Sequence, residues 1–307
     1  MKTDRILVGL DFGAASIAAA RWAKEWFAPT AEFILAHVIE PPDRPHFAHD
    51  KLPPEEVLEA TAREYAAARL REINSYLSSQ RIRCEIRVGK PYEELATLAT
   101  QTDADLVVIG PHGGRPHTSK FLGTTAERVV RSSPVPVLVA TNPPRGTPRR
   151  MLAPVDDAEI TDHIIAAARQ LATRFRAEIT LLHVWSNAVY SHVASMSYAH
   201  AHNDAEAEHE IDEELASTAK HWLTHAAKAG GDEHITATVT HGKPGDATVD
   251  MADAMRADLI ILGRNSTGVV APAFLGSTIG TVLHDARCPV LVVTKPAEWD
   301  AASRRSP

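Results

Sequence analysis

The feature that most constrains this chain is that it is written twice. Arg5 to Asp11 (RILVGLD) returns as Arg150 to Asp156 (RMLAPVD), each an apolar run ending in an acid. Ile34 to Val38 (ILAHV) returns as Thr180 to Val184 (TLLHV), and Val88 to Pro91 (VGKP) as His241 to Pro244 (HGKP). Leu106 to Gly110 is matched by Leu259 to Gly263, and Pro136 to Val139 (PVLV) by Pro289 to Val292 (PVLV). Anchors that recur in one order mean two copies of one module, and self-similarity of this kind must be settled before any element is assigned.

A length of 307 residues suits two domains, each long enough to bury a core. The junction falls at Thr141 to Pro148, where Asn142, Pro143, Pro144, Arg145, Gly146, Thr147 and Pro148 favour a short, stiff connection. The expected division is a first domain over 1–142, a linker over 143–148, a second domain over 149–296 and a tail over 297–307.

Within each copy, short apolar runs alternate with longer helical patterns. Ile164, Ile165, Ala168, Leu171, Ala172 and Phe175 fall at helical spacing, with Thr161 as the expected N-cap, and Ile17 to Phe27 is the counterpart. The stretch Pro54 to Leu77 places Leu58, Ala62, Tyr65, Arg69, Ile73 and Leu77 near one helix face; Asp204 to Ala229 takes that role in the second copy. Strands separated by helices need crossovers, so each copy predicts an α/β domain with a doubly wound, five-stranded parallel sheet covered on both faces. Such a domain binds its ligand outside the C-terminal strand ends, where the strand order reverses, and Asp11 and Gly110 would face that crevice.

Gly110, Pro111, His112 and Gly113 are followed, after nine residues, by Gly123 and Thr124, between a buried strand and a helix. Bare backbone at a strand-to-helix crossing lets an anion approach N–H groups at a helix N-terminus. In the second copy Gly263 and Gly276 keep the outer spacing of thirteen positions, Ser266 replaces the second glycine, and Pro272 lies in the loop. These departures predict weaker binding there. A tight turn without a ligand is the alternative reading of the same glycines.

With these motifs in place, both halves resemble the universal stress protein (UspA-like) superfamily, whose nucleotide-binding branch carries G-x2-G-x9-G-[ST], an acid closing strand one and a Pro-Val-Leu-Val last strand. The resemblance implies a flavodoxin-like, Rossmann-like fold of strand order 3-2-1-4-5 in tandem, with ATP, alone or with Mg2+, in the crevice. It places Asp11 by the adenosine, Val38 and Ile109 on the base, and Gly110, His112, Gly113, Gly123, Thr124 and Thr125 along ribose and phosphates. In the second half Asp156, Val184, Leu262, Gly263, Asn265, Gly276, Ser277 and Thr278 hold the matching places. The fused copies resemble the dimer formed by single-module members.

Function classes are narrowed further by what the motifs lack. The chain contains no G-x4-GK[ST], G-x-S-x-G or HExxH sequence. His112, Arg115, His117 and Lys120 read as loop residues, so no dedicated turnover enzyme and no catalytic residue is expected, slow ATP hydrolysis aside. A net charge of −7 without a basic tract disfavours nucleic acid and anionic membranes as partners. No run approaches the roughly 20 apolar residues of a membrane span. The start of the chain does not read as a signal peptide, and a cytoplasmic protein is expected. Cys84 and Cys288 show no CxxC spacing.

Eleven of sixteen histidines follow residue 150; His192, His200, His202 and His209 crowd an insertion in the second copy, with His221 and His225 one helical turn apart. Imidazoles so spaced, with Asp204 and Glu206, can bind zinc, nickel or copper, although an exposed polar segment accounts for them more simply and no metal site is assigned. His37 and His183 read as core residues with a satisfied ring nitrogen. The leading expectation is therefore a stress-response regulatory protein that binds ATP or a related adenine nucleotide. The alternatives are a tandem scaffold whose modules pair through their last strands without nucleotide, and a metal sensor. The protein partner and homodimerisation are left open.

Overall fold

The structure is a computed structural model of the chain and describes residues 3–27, 30–41, 53–77, 81–111, 124–143, 146–156, 160–185, 217–225, 227, 234–264 and 276–294. The first half runs β1 (Arg5–Gly9), α1 (Ala14–Phe27), β2 (Glu32–Ile39), α2 (Glu55–Leu77), β3 (Ile82–Val88), α3 (Pro91–Gln101), β4 (Leu106–Ile109), α4 (Thr124–Ser132) and β5 (Val137–Val139). The second runs β6 (Arg150–Pro154), α5 (Thr161–Phe175), β7 (Glu178–Trp185), α6 (217–225), β8 (Ile235–His241), α7 (Pro244–Met255), β9 (Leu259–Arg264), α8 (Ser277–Asp285) and β10 (Val290–Thr294).

Ten strands form one sheet in the order β3-β2-β1-β4-β5-β10-β9-β6-β7-β8. Each half is parallel with the order 3-2-1-4-5, the flavodoxin-like arrangement, and the two meet through an antiparallel pair of their last strands. Val290 faces Val139, Leu291 faces Leu138 and Val292 faces Val137. The repeated Pro-Val-Leu-Val run is thus the seam, and its apolar residues are buried because both faces of the sheet are covered.

Alternation along the strands distributes two cores. Ile6, Val8, Phe33, Leu35, Leu106 and Val108 point to one face, under α1, α2 and α5. Leu7, Ile34, Ala36, Val107 and Ile109 point to the other, under α3 and α4. Both cores run through the two halves. At the opposite edge of the strands from the candidate crevice, Asp105 Oδ2 accepts from the N–H groups of Asp4 and Arg5 at 2.9 and 3.0 Å. Asp258 repeats this with Arg149 and Arg150 at 2.9 Å each, so one carboxylate per half satisfies the entry of its first strand.

Two local expectations need correction. Thr161 does not cap α5: it is the first helical residue, and its hydroxyl donates to the Asp156 carbonyl behind it. On α2 the buried residues are Ala66, Leu70, Ile73 and Leu77, whereas Tyr65 is 60% exposed. The core-facing stripe passes through Ala66, one position from the tyrosine.

Candidate functional site

The crevice of the first half is built where β1 and β4 lie side by side and their chains leave in opposite directions along the sheet. Asp11 follows β1, Gly110 follows β4, Val38 lies near the end of β2 and Ile109 closes β4. These four residues therefore stand at one end of the sheet. Thr124 and Thr125 open α4, which carries the chain back to β5, and both are exposed. His112, Gly113 and Gly123 lie outside the described residues.

Asp11 is exposed, yet one of its oxygens is fixed. Oδ1 accepts from the Gly13 N–H at 2.9 Å and from the Ser16 hydroxyl at 2.5 Å, while the Asp11 N–H reaches the Ser16 oxygen at 3.3 Å. Ser16 is 3% exposed, so the carboxylate is held by a buried hydroxyl at the first turn of α1. Among the described residues Oδ2 has no hydrogen-bond donor. A carboxylate oriented in this way accepts a hydroxyl or amine and repels phosphate.

Phe12, the next residue, has a left-handed backbone with φ 64°. Its ring stacks on His37 at 4.2 Å between centroids and meets the edge of Tyr65 at 6.0 Å. His37 Nδ1 is 2.7 Å from the Leu10 carbonyl, and His183 repeats the contact with Val155 at 3.0 Å. Both rings thus have a satisfied nitrogen, but they are half-buried at the crevice end of the sheet and do not sit in the core. Burial holds the His37 imidazole below its ordinary pKa, partly offset by the Leu10 carbonyl and the Asp11 charge.

The glycines do different work. A Cβ on Gly110 would lie 3.0 Å from the backbone nitrogen of Ser16 and 3.2 Å from the Ala15 carbonyl carbon. One on Gly263 would lie 2.5 Å from Ile160 Cγ1 and 2.8 Å from Ile164 Cδ1. Both residues are therefore bare so that the helix after the first strand of each half can press on the end of its neighbour. Gly276 differs: φ is +81° and, among the described residues, no atom lies within 4 Å of its would-be Cβ before the N-terminus of α8. Ser277 and Thr278 follow it at that terminus, with Ser277 exposed.

In the second crevice Asp156 is exposed after β6, Val184 lies near the end of β7, and Leu262 and Gly263 lie near the end of β9. Asn265 lies outside the described residues, as do Ser266, Pro272 and His192, His200, His202 and His209. Among the described residues no three histidine, cysteine, aspartate or glutamate side chains gather as metal ligands. Among them, too, no helix is long and apolar enough to cross a membrane.

Comparison with known proteins decides the family, because the model of the universal stress protein family matches residues 2–141 and again residues 147–294. The chain belongs to the universal stress protein family. It is similar to a universal stress protein of Mycobacterium tuberculosis strain H37Rv, 24% identical over 215 residues that span 69% of this chain and 68% of the relative. A universal stress protein of Synechocystis sp. is 35% identical over 83 residues, covering 26% of this chain and 54% of its own. Among solved structures, a universal stress protein from Archaeoglobus fulgidus DSM 4304 aligns with a TM-score of 0.64 at 19% identity over 97% of this chain and 98% of that one. At that identity the likeness concerns the fold.

Within this universal stress protein, several residues at the crevices carry no motif in the sequence. Ser16 and Thr161 hold equivalent places at the start of α1 and α5, and a hydroxyl five residues after each acid was the available signal. Phe12 carried no signal, since only the backbone reveals its left-handed conformation. Arg264 carried none either, because its partners are 131 and 133 positions away.

Proposed function

We propose that this universal stress protein binds an adenine nucleotide, ATP foremost, in the crevice of its first half and acts as a regulatory protein. The observation that carries the reading is the Asp11 carboxylate, fixed through Oδ1 by Gly13 and Ser16 and with Oδ2 open at the strand-order reversal. Asp11 would accept from a ribose hydroxyl or an adenine amine, and Val38 and Ile109 would pack on the base. Gly110 would line the crevice together with His112, Gly113 and Gly123 of the connecting loop. Thr124 and Thr125 would present hydroxyls and N–H groups to phosphate at the start of α4, where the helix dipole favours negative charge. Mg2+ would accompany the phosphates. The bound nucleotide supplies the ligand whose differential affinity orders one state of the loop over another, and no phosphoryl transfer is assigned to the site.

The second crevice, with Asp156, Val184, Leu262, Gly263, Asn265, Gly276, Ser277 and Thr278, takes the same ligand more weakly. Adenine nucleotide released by acid from freshly purified protein tests the reading, with about one equivalent expected per chain. Recovery of none, followed by failure of added ATP to bind, would favour a second reading as a tandem scaffold. The packing of Gly110 on α1 and the β5–β10 seam are the observations that suit that alternative.

A further inference from the structure

Arg264 ends β9, directly after Gly263 at the floor of the second crevice, yet its guanidinium is spent on the other half of the molecule. Nη1 donates to the Arg131 carbonyl and Nη2 donates to the Ser133 carbonyl at 2.6 Å. These carbonyls belong to the C-terminal end of α4, where helix backbone acceptors lack internal partners and carry partial negative charge. The same helix begins with Thr124 and Thr125 at the first crevice. The helix is nine residues long, about 13 Å, with the threonines at one end and the grip at the other.

The Nε–H of Arg264 is buried and has no acceptor among the described residues. A donor without an acceptor among the described residues, on a half-buried cation beside a strand end, is a group for which an anion is the natural partner. Burial also lowers the pKa of this guanidinium from its ordinary value, consistent with a charge that is incompletely compensated. The position that matches Arg264 in the first half is Pro111, which has neither a charge nor a side-chain donor. Among the described residues the arrangement is therefore one-directional: the second crevice holds a cation attached to the helix of the first, without the reverse.

Resting on the nucleotide reading of the crevices, we propose that Arg264 couples them by exchanging partners, releasing the end of α4 when a phosphate group enters the second crevice. With that crevice empty, the guanidinium secures the carbonyls of Arg131 and Ser133. When phosphate is present, Nε and one Nη turn to its oxygens, and α4 loses two charge-assisted bonds. Occupancy of the second crevice then loosens the helix that presents Thr124 and Thr125 and weakens binding in the first. The planar fork of arginine matters, because two acceptors are gripped at once; lysine can satisfy only part of this geometry.

Hydrogen exchange over residues 124–133 of the full-length chain tests the proposal with ATP as the probe. Asp11→Ala is used as background to weaken the first crevice, Asp156→Ala added to that background weakens the second as well, and calorimetry on the same samples separates uptake by the two. The coupling predicts that saturating ATP accelerates exchange in α4 about fivefold or more, the lower range of measured coupling between sites. In Asp11→Ala with Arg264→Leu, exchange is fast without ATP and indifferent to it, and Arg264→Lys gives an intermediate response even if the leucine variant folds poorly. ATP uptake with α4 exchange unchanged, or a response that survives Arg264→Leu, would overturn the coupling and leave the binding reading intact. Absence of ATP uptake by the wild-type chain would remove the binding reading and the coupling with it.

Discussion

The indole N–H of Trp26 donates to the carbonyl oxygen of Gly146 at 2.8 Å, so the segment that joins the two halves is fastened to α1 of the first. Trp26 is 3% exposed, and its ring lies 3.4 Å from that of Trp22 and 5.2 Å from that of Phe175 on α5. Arg174, also on α5, donates to the Phe27 carbonyl at 2.9 Å. The connection, both first helices and the strand seam thus form a single packed unit.

One cooperative unfolding transition is the expected consequence. Trp26→Ala should cost about 3–5 kcal/mol by opening the aromatic cluster. Trp26→Phe should cost about 1–2 kcal/mol, mainly through the lost bond to Gly146. Denaturant titration followed by circular dichroism measures both, and two separated transitions in the wild type would contradict the shared core.

Ser16 orients Asp11, and its removal should be felt both in stability and in binding. Ser16→Ala is expected to lower stability by about 1 kcal/mol and to weaken ATP binding about threefold to tenfold, the range of one lost hydrogen bond. Ser16→Thr should keep most of the affinity, because it keeps the hydroxyl donor to Asp11 Oδ1. Equal affinities in serine, alanine and threonine forms would show that the orientation of Asp11 is irrelevant to the ligand.

His37 links stability to pH. Its folded pKa is lowered, chiefly by burial, whereas in the unfolded chain the imidazole titrates near 6.5. Below about pH 6.5 the unfolded state therefore binds a proton that the folded state resists, so this contribution is complete above that pH and is lost as pH falls below it. Comparison of urea midpoints at pH 7.5 and 5.5 should show a smaller decline for His37→Asn than for the wild type. An identical decline would assign the effect to other groups.

The two thiols should behave differently. Cys84 is exposed on the edge strand β3, with its pKa raised by partial burial and then by Glu85. Cys288 is buried, and burial followed by the charges of Asp258 and Asp253 pushes its thiol up to about 12. At pH 8 a disulfide reagent should label Cys84 in the native protein and reach Cys288 only with denaturant, since the thiolate is the nucleophile. Equal rates in the native state would contradict the burial of Cys288.

Much of this architecture is legible in the residues because buried parallel strands are nearly continuous apolar runs, and here every run has a twin. Leu106 to Ile109 and Leu259 to Leu262 identify themselves in this way, and a crossover topology then brings Asp11 and Gly110 to one end of the sheet. What stays hidden depends on tertiary contact. Periodicity places Tyr65 and Ala66 one position apart on α2 but does not reveal which of them meets the core. Gly110 reads as a phosphate-facing glycine, and only the nearness of Ser16 and Ala15 shows its packing role. Thr161 looks like a cap because threonine often is one, while the folded chain turns its hydroxyl to Asp156. The grip of Arg264 on α4 joins residues that no local pattern connects.

The central claim is that the first crevice holds an adenine nucleotide through Asp11. Because the halves share one sheet, with β5 paired to β10, the measurement belongs to the intact chain: calorimetric titration of the wild type and Asp11→Ala with ATP. Saturable binding by the wild type, weakened at least about tenfold in Asp11→Ala, is the predicted result. No saturable binding, or binding of equal strength in the two proteins, would contradict it.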